Sequence, residues 1–518
     1  MSNETTRPAR TVAVMMAITI IGKLMGVLRD RMQAVNFGAD TAEGIAFTQA
    51  SLLPRTFLDV MFAAAFSASF IPVFTSYMET KGKRAAFDLA STFISITTVL
   101  TFAVVVVSMF FAEPIFVLSL RGDEFPYGTI ALGARLLRFM FPLMIFSGLA
   151  FSFTGMLQSL GEFRLPAAMS VVSNGAILVY YFFFIDRFGV QGLAVAFLVG
   201  WALQGIIQLP VLVRHKFRFR FRLDLGDPGI RQIGRLAVPV LVSSWVLPVN
   251  ILVNVSASSQ LYGGEFGVVA ITLANSLFAI VSGVFILSVS NLIFPKLSRH
   301  IAVKDDTGFS STLNETVRVL LFLLLPLTLG LMSLATPLVR LVHGGGLFCE
   351  RAIEITGTAL LYFAPGVVGY GLLLVLSRAC YARMDGRTPI LAGAVAIVAN
   401  GVLSFTLAPV LDIAGPALAG TISQTLGAAV LIVSLSRQRI LLWGRDTVVD
   451  ITKMVACAVV MLVAVLLFLR QMNGVAVVLQ VGVSAMVGGV VYFVLAWLFR
   501  IREMMWVKNM LRRNGNRG

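Results

Sequence analysis

The strings AEPIFVL (Ala112–Leu118) and ATPLVRL (Ala335–Leu341) carry alanine, proline and leucine at the same places. So do FSASFIPVF (66–74) and VSNLIFPKL (289–297) for their proline. Pro72, Pro114, Pro142 and Pro166 recur as Pro295, Pro337, Pro365 and Pro389, and each difference (295−72, 337−114, 365−142, 389−166) is 223. Arg164 and Arg387, Gly192 and Gly415, Ala194 and Ala417, and Ala196 and Ala419 keep that offset. With 18 prolines in 518 residues, four matches at one offset mark a duplicated unit. A long internal repeat in a hydrophobic chain is a transporter signature, with the substrate site expected near the midplane between the halves.

Composition sets the class. The hydrophobic fraction is 58%, charged residues make up 13%, and the mean hydropathy is +0.90. A soluble domain carries about 25% charged residues. The chain is therefore expected to be an all-α polytopic membrane protein. Apolar runs of about 20 residues suggest about fourteen transmembrane helices. They fall near 11–35, 43–77, 86–111, 129–159, 166–186, 190–213, 236–261, 266–296, 310–342, 351–382, 389–411, 416–436, 450–470 and 476–499. The first run lacks a small-residue cleavage site and reads as an uncleaved span.

The repeat then comprises spans 1–6 and 7–12. Six spans per unit give both units the same orientation, so they form parallel repeats. This divides the chain into an N-terminal lobe (1–213), a basic linker (214–235), a C-terminal lobe (236–436), and two extra spans with a basic tail (437–518).

The net charge of +16 could suggest nucleic acid, but the distribution argues against it. Lys and Arg collect in alternate loops and at both termini, as the positive-inside rule requires. Both termini and the linker are therefore placed in the cytoplasm. The stretch RHKFRFRFRLD (Arg214–Asp224) alternates basic and apolar residues with a strand-like period. It reads as an anchor on anionic head groups, or as a docking site for a cytoplasmic protein.

Charged residues inside the first spans are the candidate site. Lys23, Arg29, Asp30 and Arg31 lie in span 1, and a charge at helix centre costs about 2.5–3.5 kcal/mol on insertion scales. Lys23 and Asp30 are seven apart and share a helix face, which allows an internal ion pair; Arg29 lies off that face. Arg31 is placed to snorkel to the interface. Span 2 adds Arg55 and Asp59 at i,i+4, beside a helix-breaking Pro54. Arg135 and Arg138 in span 4 either extend a basic lining or hold the outer interface. The second half offers neutral groups instead: Ser243, Asn250, Asn254 and Ser258 in span 7, and Asn275, Ser276 and Ser282 in span 8. These suit interhelical hydrogen bonds or a polar cavity wall. Lys23, Arg29, Asp30, Arg55, Asp59, Asn275 and Ser276 are the substrate-binding candidates. A basic cavity between membrane and water suits an anionic amphiphile, and arginine's fork fits phosphate.

No catalytic or metal constellation accompanies them. His343-Gly344-Gly345-Gly346 imitates an esterase oxyanion loop without a G-x-S-x-G partner and reads as a tight turn. There is no phosphate-binding Walker A string, so no nucleotide cofactor is expected. The histidines His215, His300 and His343 are scattered. Cys349, Cys380 and Cys457 lie far apart and read as packing residues.

Several strings resemble the MurJ/MviN family of lipid II flippases, within the superfamily that includes multidrug and O-antigen exporters. They are GKLMGVLRDRMQAVNFGA (22–39), LLPRTFLDVMFAAAFSASFIPVF (52–74), MLQSLGEFRLPAAMSVVSN (156–174), SGVFILSVSNLIFPKLSR (282–299) and CYARMDGRTPILAG (380–393). The resemblance implies a flippase, not an enzyme. It would carry the undecaprenyl-linked peptidoglycan precursor to the outer leaflet of the bacterial cytoplasmic membrane, for cell-wall synthesis. Transport would be by alternating access, coupled to membrane potential or an ion gradient. It further implies that Lys23 and Arg29 line the cavity, that Asp30 is their acidic partner, and that spans 13 and 14 border a groove for the lipid tail. The chain departs from the family pattern at Leu58 and Ser276, where arginine is usual, and at Ala63, where glutamate is usual. An exporter of another undecaprenyl-linked saccharide, a cation-coupled drug antiporter, and a scaffold recruiting cell-wall synthesis proteins are the competing readings. The expected partners are a lipid-linked oligosaccharide diphosphate and membrane lipids.

Overall fold

A computed structural model of the chain describes residues 6–65, 69–122, 125–244, 246–440, 445–472 and 474–504. In lipid every backbone polar group must be satisfied within its own segment, so apolar runs of this length become helices. The helices in chain order are α1 (Thr6–Phe37), α2 (Ala42–Ala65), α3 (Ile71–Thr80), α4 (Gly82–Phe110), α5 (Ala112–Ser119), α6 (Thr129–Met140), α7 (Leu143–Ser159), α8 (Arg164–Phe183), α9 (Ile185–Ile206), α10 (Leu209–Arg214) and α11 (Pro228–Ser244). They continue as α12 (Val246–Ser258), α13 (Gly267–Ala302), α14 (Asp306–Ser333), α15 (Ala335–His343), α16 (Glu350–Phe363), α17 (Gly366–Ala382), α18 (Arg387–Leu411), α19 (Ala414–Arg437), α20 (Arg445–Gln471) and α21 (Val477–Leu498). Among the described residues, nine helices are long and apolar enough to cross a membrane, or ten if the bent pair α16–α17 is one span.

The repeated prolines sit where a helix tolerates them. Pro72 lies in the first turn of α3, and Pro142 and Pro365 are the N-cap residues of α7 and α17. Pro114, Pro166, Pro337 and Pro389 are each the third residue of α5, α8, α15 and α18. The first turn has no partner for its N–H groups, so proline's missing donor costs nothing there. Pro295 falls inside α13, and its side chain lies outside the described residues.

The offset is also written into the backbone. Gly161, Gly189 and Lys216 have positive φ (82°, 53°, 67°), and so do Met384, Asp412 and Arg439 (61°, 47°, 56°). Each pair is again 223 apart (384−161, 412−189, 439−216). The first and third pairs close their helices with the same bond. Glu162 N donates to Leu157 O at 2.8 Å and Asp385 N to Cys380 O at 3.0 Å. Phe217 N donates to Leu212 O and Ile440 N to Leu435 O, both at 3.0 Å. This is the Schellman C-terminus, which uses a left-handed residue to satisfy the last carbonyls.

The chain forms two compact units: Met1–Leu252 with Tyr262–Val269 and Gly345–Phe348, and Val253–Leu261 with Ala270–Gly344 and Cys349–Gly518. In the first, α1 lies on α8, α8 on α9, and α2 on α6 and α7. In the second, α18 lies on α19, α17 on α19, and α20 and α21 on each other and on α14. The last two spans are fastened by the buried Tyr492, whose hydroxyl donates to Phe322 O at 2.9 Å. Arg318 adds an ion pair to Glu503 at 3.1 Å.

Residues 217–224, whose alternation has a strand-like period, run as irregular chain, and Arg222 N donates to Ser95 Oγ at 3.1 Å. Two expectations need correction. Helix α11 begins at Pro228, inside the stretch read as linker, where the Asp227 carboxylate accepts from Gly229 N at 2.7 Å. Cys349 is exposed and not a packing residue, since it precedes α16 at the end of a turn; Cys380 and Cys457 are buried.

Candidate functional site

The site is built on α1. Gly22 and Gly26 let α8 approach closely: a Cβ at Gly22 would stand 3.1 Å from Ser170 and one at Gly26 3.5 Å from Asn174 Nδ2. Small residues play this role in membranes because backbones must come close for dispersion and hydrogen bonds to hold helices together. Asn174 uses the approach. Its Nδ2 donates to Gly22 O at 3.1 Å and to Ser170 Oγ at 3.2 Å, and its Oδ1 accepts from Arg29 at 2.9 Å.

Arg29 is only 8% exposed and fully engaged. Its Nε and one terminal nitrogen both donate to Asp30 Oδ1, at 3.0 and 2.7 Å, and the other terminal nitrogen serves Asn174. Of the readings the sequence left open, the Lys23–Asp30 pair is not formed; Asp30 pairs with Arg29. Adjacent residues point to different faces, but a guanidinium on three methylenes reaches round the helix, and its fork offers two donors at once. Lys23 is left partly exposed, and no described carboxylate pairs with it.

Aromatic rings from α9 complete the site. The Arg29 guanidinium lies 5.5 Å from the Phe197 ring centre, and that of Arg55, from α2, lies 5.7 Å from Trp201. Phe197 and Trp201 are stacked at 5.7 Å with an interplanar angle of 11°. Phe47 of α2 meets Phe197 edge-on at 5.1 Å. Two cations thus rest on one ledge of stacked rings, each held by the negative face of a π-system. The sequence reading missed Asn174, Phe197 and Trp201. The available signal was Asn174 itself, a polar residue inside span 5.

The other candidates divide. Asp59 lies on α2, but its side chain, like those of Leu58 and Ala63, is outside the described residues, as is Ser243. Arg135 and Arg138 are exposed, and Arg138 stands 4.0 Å from Glu113, which fits an interface position. Asn275 and Ser276 are half-buried on α13. In the second unit Asn254 accepts from Ser404 Oγ at 2.9 Å, an interhelical bond of the neutral kind. Gly420 stands where the first unit has Phe197 (420−197 is 223), and a Cβ there would lie 3.2 Å from Asn254 Nδ2. One unit places a ring over an arginine; the other leaves space for an amide. His343 is buried at the end of α15, and the chain turns after it with Gly345 and Gly346 at φ 123° and 55°. A Cβ at Gly346 would collide with Val35 O, so the glycine run is a tight turn.

Comparison with known proteins follows this geometry. The model of a family described as lipid II flippase MurJ matches residues 33–486. A probable lipid II flippase MurJ of Vibrio cholerae serotype O1 is 28% identical over 91% of this chain and 90% of its own length. A lipid II flippase MurJ of Burkholderia cenocepacia is 25% identical over 83% and 84%. Among solved structures, a lipid II flippase MurJ in an inward closed conformation superposes with a TM-score of 0.80 at 22% identity, covering 95% of this chain and all of that one. An inward-facing multidrug MATE transporter of the MOP superfamily superposes with a TM-score of 0.70 at 14% identity, over 83% and 98%. At these identities the superpositions show a shared fold.

Proposed function

The chain belongs to the lipid II flippase MurJ family, and from that premise we propose how it carries lipid II from the inner to the outer leaflet of the bacterial cytoplasmic membrane. Lys23 meets the substrate diphosphate directly, because it is a partly exposed cation of α1 with no ion pair among the described residues. Arg29 acts beside it as a positive end clamped by Asp30 and Asn174. Arg55 widens the positive field over the Phe197–Trp201 ledge. Asp59, Asn275 and Ser276 are proposed as further substrate-binding residues. The polyprenyl tail stays in lipid against α20 and α21.

The observation that carries this reading is the buried guanidinium of Arg29 in a helix of a membrane-spanning chain, held in place by three hydrogen bonds. Such a charge is costly in lipid and its placement calls for a reason. The protein transports and has no reaction to catalyse. Both termini lie in the cytoplasm, and the basic loops hold that orientation. Outward movement of an anion is favoured by an inside-negative potential, by about 2.3 kcal/mol per charge per 100 mV. Transport proceeds by alternating access.

The test is rescue of bacteria depleted of their own lipid II flippase, with growth and lipid II exposure at the outer leaflet both scored. Wild type should restore both; Lys23→Gln and Arg29→Ala, at equal membrane levels, should not. Full rescue by both variants would overturn the cavity model. Failure of well-expressed wild type would favour another lipid-linked saccharide.

A further inference from the structure

A second basic site lies apart from α1, at the cytoplasmic end of α4. A cavity of about 300 Å³ opens there, at the lower end of the range for ligand clefts. Lys83, Arg84 and Asp88 line it from α4, and Lys216, Arg218 and Arg220 from the strap that joins α10 to α11. The strap is pinned on both sides of its arginines. Phe217 is buried and meets Phe87 edge-on at 5.4 Å. Arg222 pairs with Asp88 at 3.8 Å and its N–H bonds Ser95. Since Asp88 is already engaged by Arg222, five cations face one cavity whose single carboxylate is spoken for.

We propose that this cavity binds the phosphate of an anionic phospholipid headgroup of the cytoplasmic leaflet. Depth supports it. Lys83 and Arg84 are one and two residues into α4, about 1.5–3 Å along the axis, and the headgroup layer of one leaflet is about 5–7 Å thick. The cavity therefore lies at headgroup level at the start of a spanning helix. The strap supports it too. In an extended chain alternate side chains point oppositely, and between and beyond the arginines stand Phe219 and Phe221, exposed by 50% and 63%. Rings of this kind sit well in the membrane interface while the arginines take the phosphate. A soluble phosphate would leave those rings in water without a role, and an acidic protein would have no use for the depth.

The full-length chain would be placed in phosphatidylcholine nanodiscs with and without phosphatidylglycerol. Retained lipid would be counted by native mass spectrometry, and the melting temperature followed. Wild type should retain phosphatidylglycerol and melt higher with it. Arg218→Gln/Arg220→Gln should bind it about fivefold more weakly per cation removed and lose the melting shift. Arg437→Gln/Arg439→Gln, equally cationic and on the other unit, should behave as wild type. Should the double variant fail to fold, Arg220→Gln alone carries the same expectation with a smaller loss. Equal retention by the strap variant and the control would overturn the proposal. So would an equal melting shift from inorganic phosphate in pure phosphatidylcholine, which would make the occupant soluble.

Discussion

Arg29 shows how one residue can be held so firmly that it becomes part of the scaffold. Its hydrogen bonds bridge α1 and α8, so Asn174 is a positioning residue for the candidate site. Asn174→Ala removes the acceptor for Arg29 and the donor to Gly22. It should cost about 1.5–3 kcal/mol, the range for a hydrogen bond to a charged group, read as a lower melting temperature in detergent. Lys23→Gln should leave the melting temperature unchanged while abolishing rescue, because Lys23 has no structural partner among the described residues. A melting temperature lowered by both would make Lys23 structural. Asp412 is the opposite case. It sits at φ 47°, ψ −137°, where the first half has Gly189 at φ 53°, ψ −149°. A side chain there is strained by about 1–3 kcal/mol, so Asp412→Gly should raise the melting temperature.

At the scale of elements, the string CYARMDGRTPILAG turns out to be a helix junction. Met384 at positive φ ends α17, and the Asp385 carboxylate starts α18 by accepting from Arg387 N at 3.0 Å, Thr388 N at 3.1 Å and Thr388 Oγ1 at 2.5 Å. Partial burial pushes the Asp385 carboxyl upward, but those donors outweigh it, and its pKa lies below the ordinary 3.8. A depressed folded-state value means the stabilisation is present above the unfolded pKa and is lost as pH falls through the folded one. At neutral pH Asp385→Ala should therefore be less stable by about 1 kcal/mol, as for a lost helix cap. The gap should close below pH of about 4. A gap independent of pH would assign the loss to backbone freedom instead. The same logic explains why the repeated prolines were legible: they mark helix starts, where chemistry permits few alternatives.

For the whole molecule, orientation is the testable quantity. Cys349 is exposed between α15 and α16, while Cys380 and Cys457 are buried. The proposed positive-inside orientation would put that turn outside the cytoplasm. A membrane-impermeant maleimide should label spheroplasts at Cys349 without lysis, and Cys349→Ser should abolish the signal. Labelling only after lysis would invert the topology. The last two spans belong to the second unit through Tyr492 and Glu503. Burial pushes the Glu503 carboxyl up, against the opposing pull of Arg318.

The sequence by itself determined the helical membrane class and the duplication. It also pointed to a family to which the chain belongs. Hydropathy, proline spacing and helix-end chemistry are local, and each is read within a few residues. It also located charge on α1, since an ionised group in an apolar run is visible without coordinates. Only the tertiary structure decided which charge pairs with which. Arg29 chose Asp30 over the face-sharing alternative because Asn174, 145 residues away, fixes the far side of its guanidinium. The Phe197–Trp201 ledge and the strap over α4 stayed hidden for the same reason. Each joins residues that are remote in sequence, and periodicity carries no information about which remote faces a packed core will bring together.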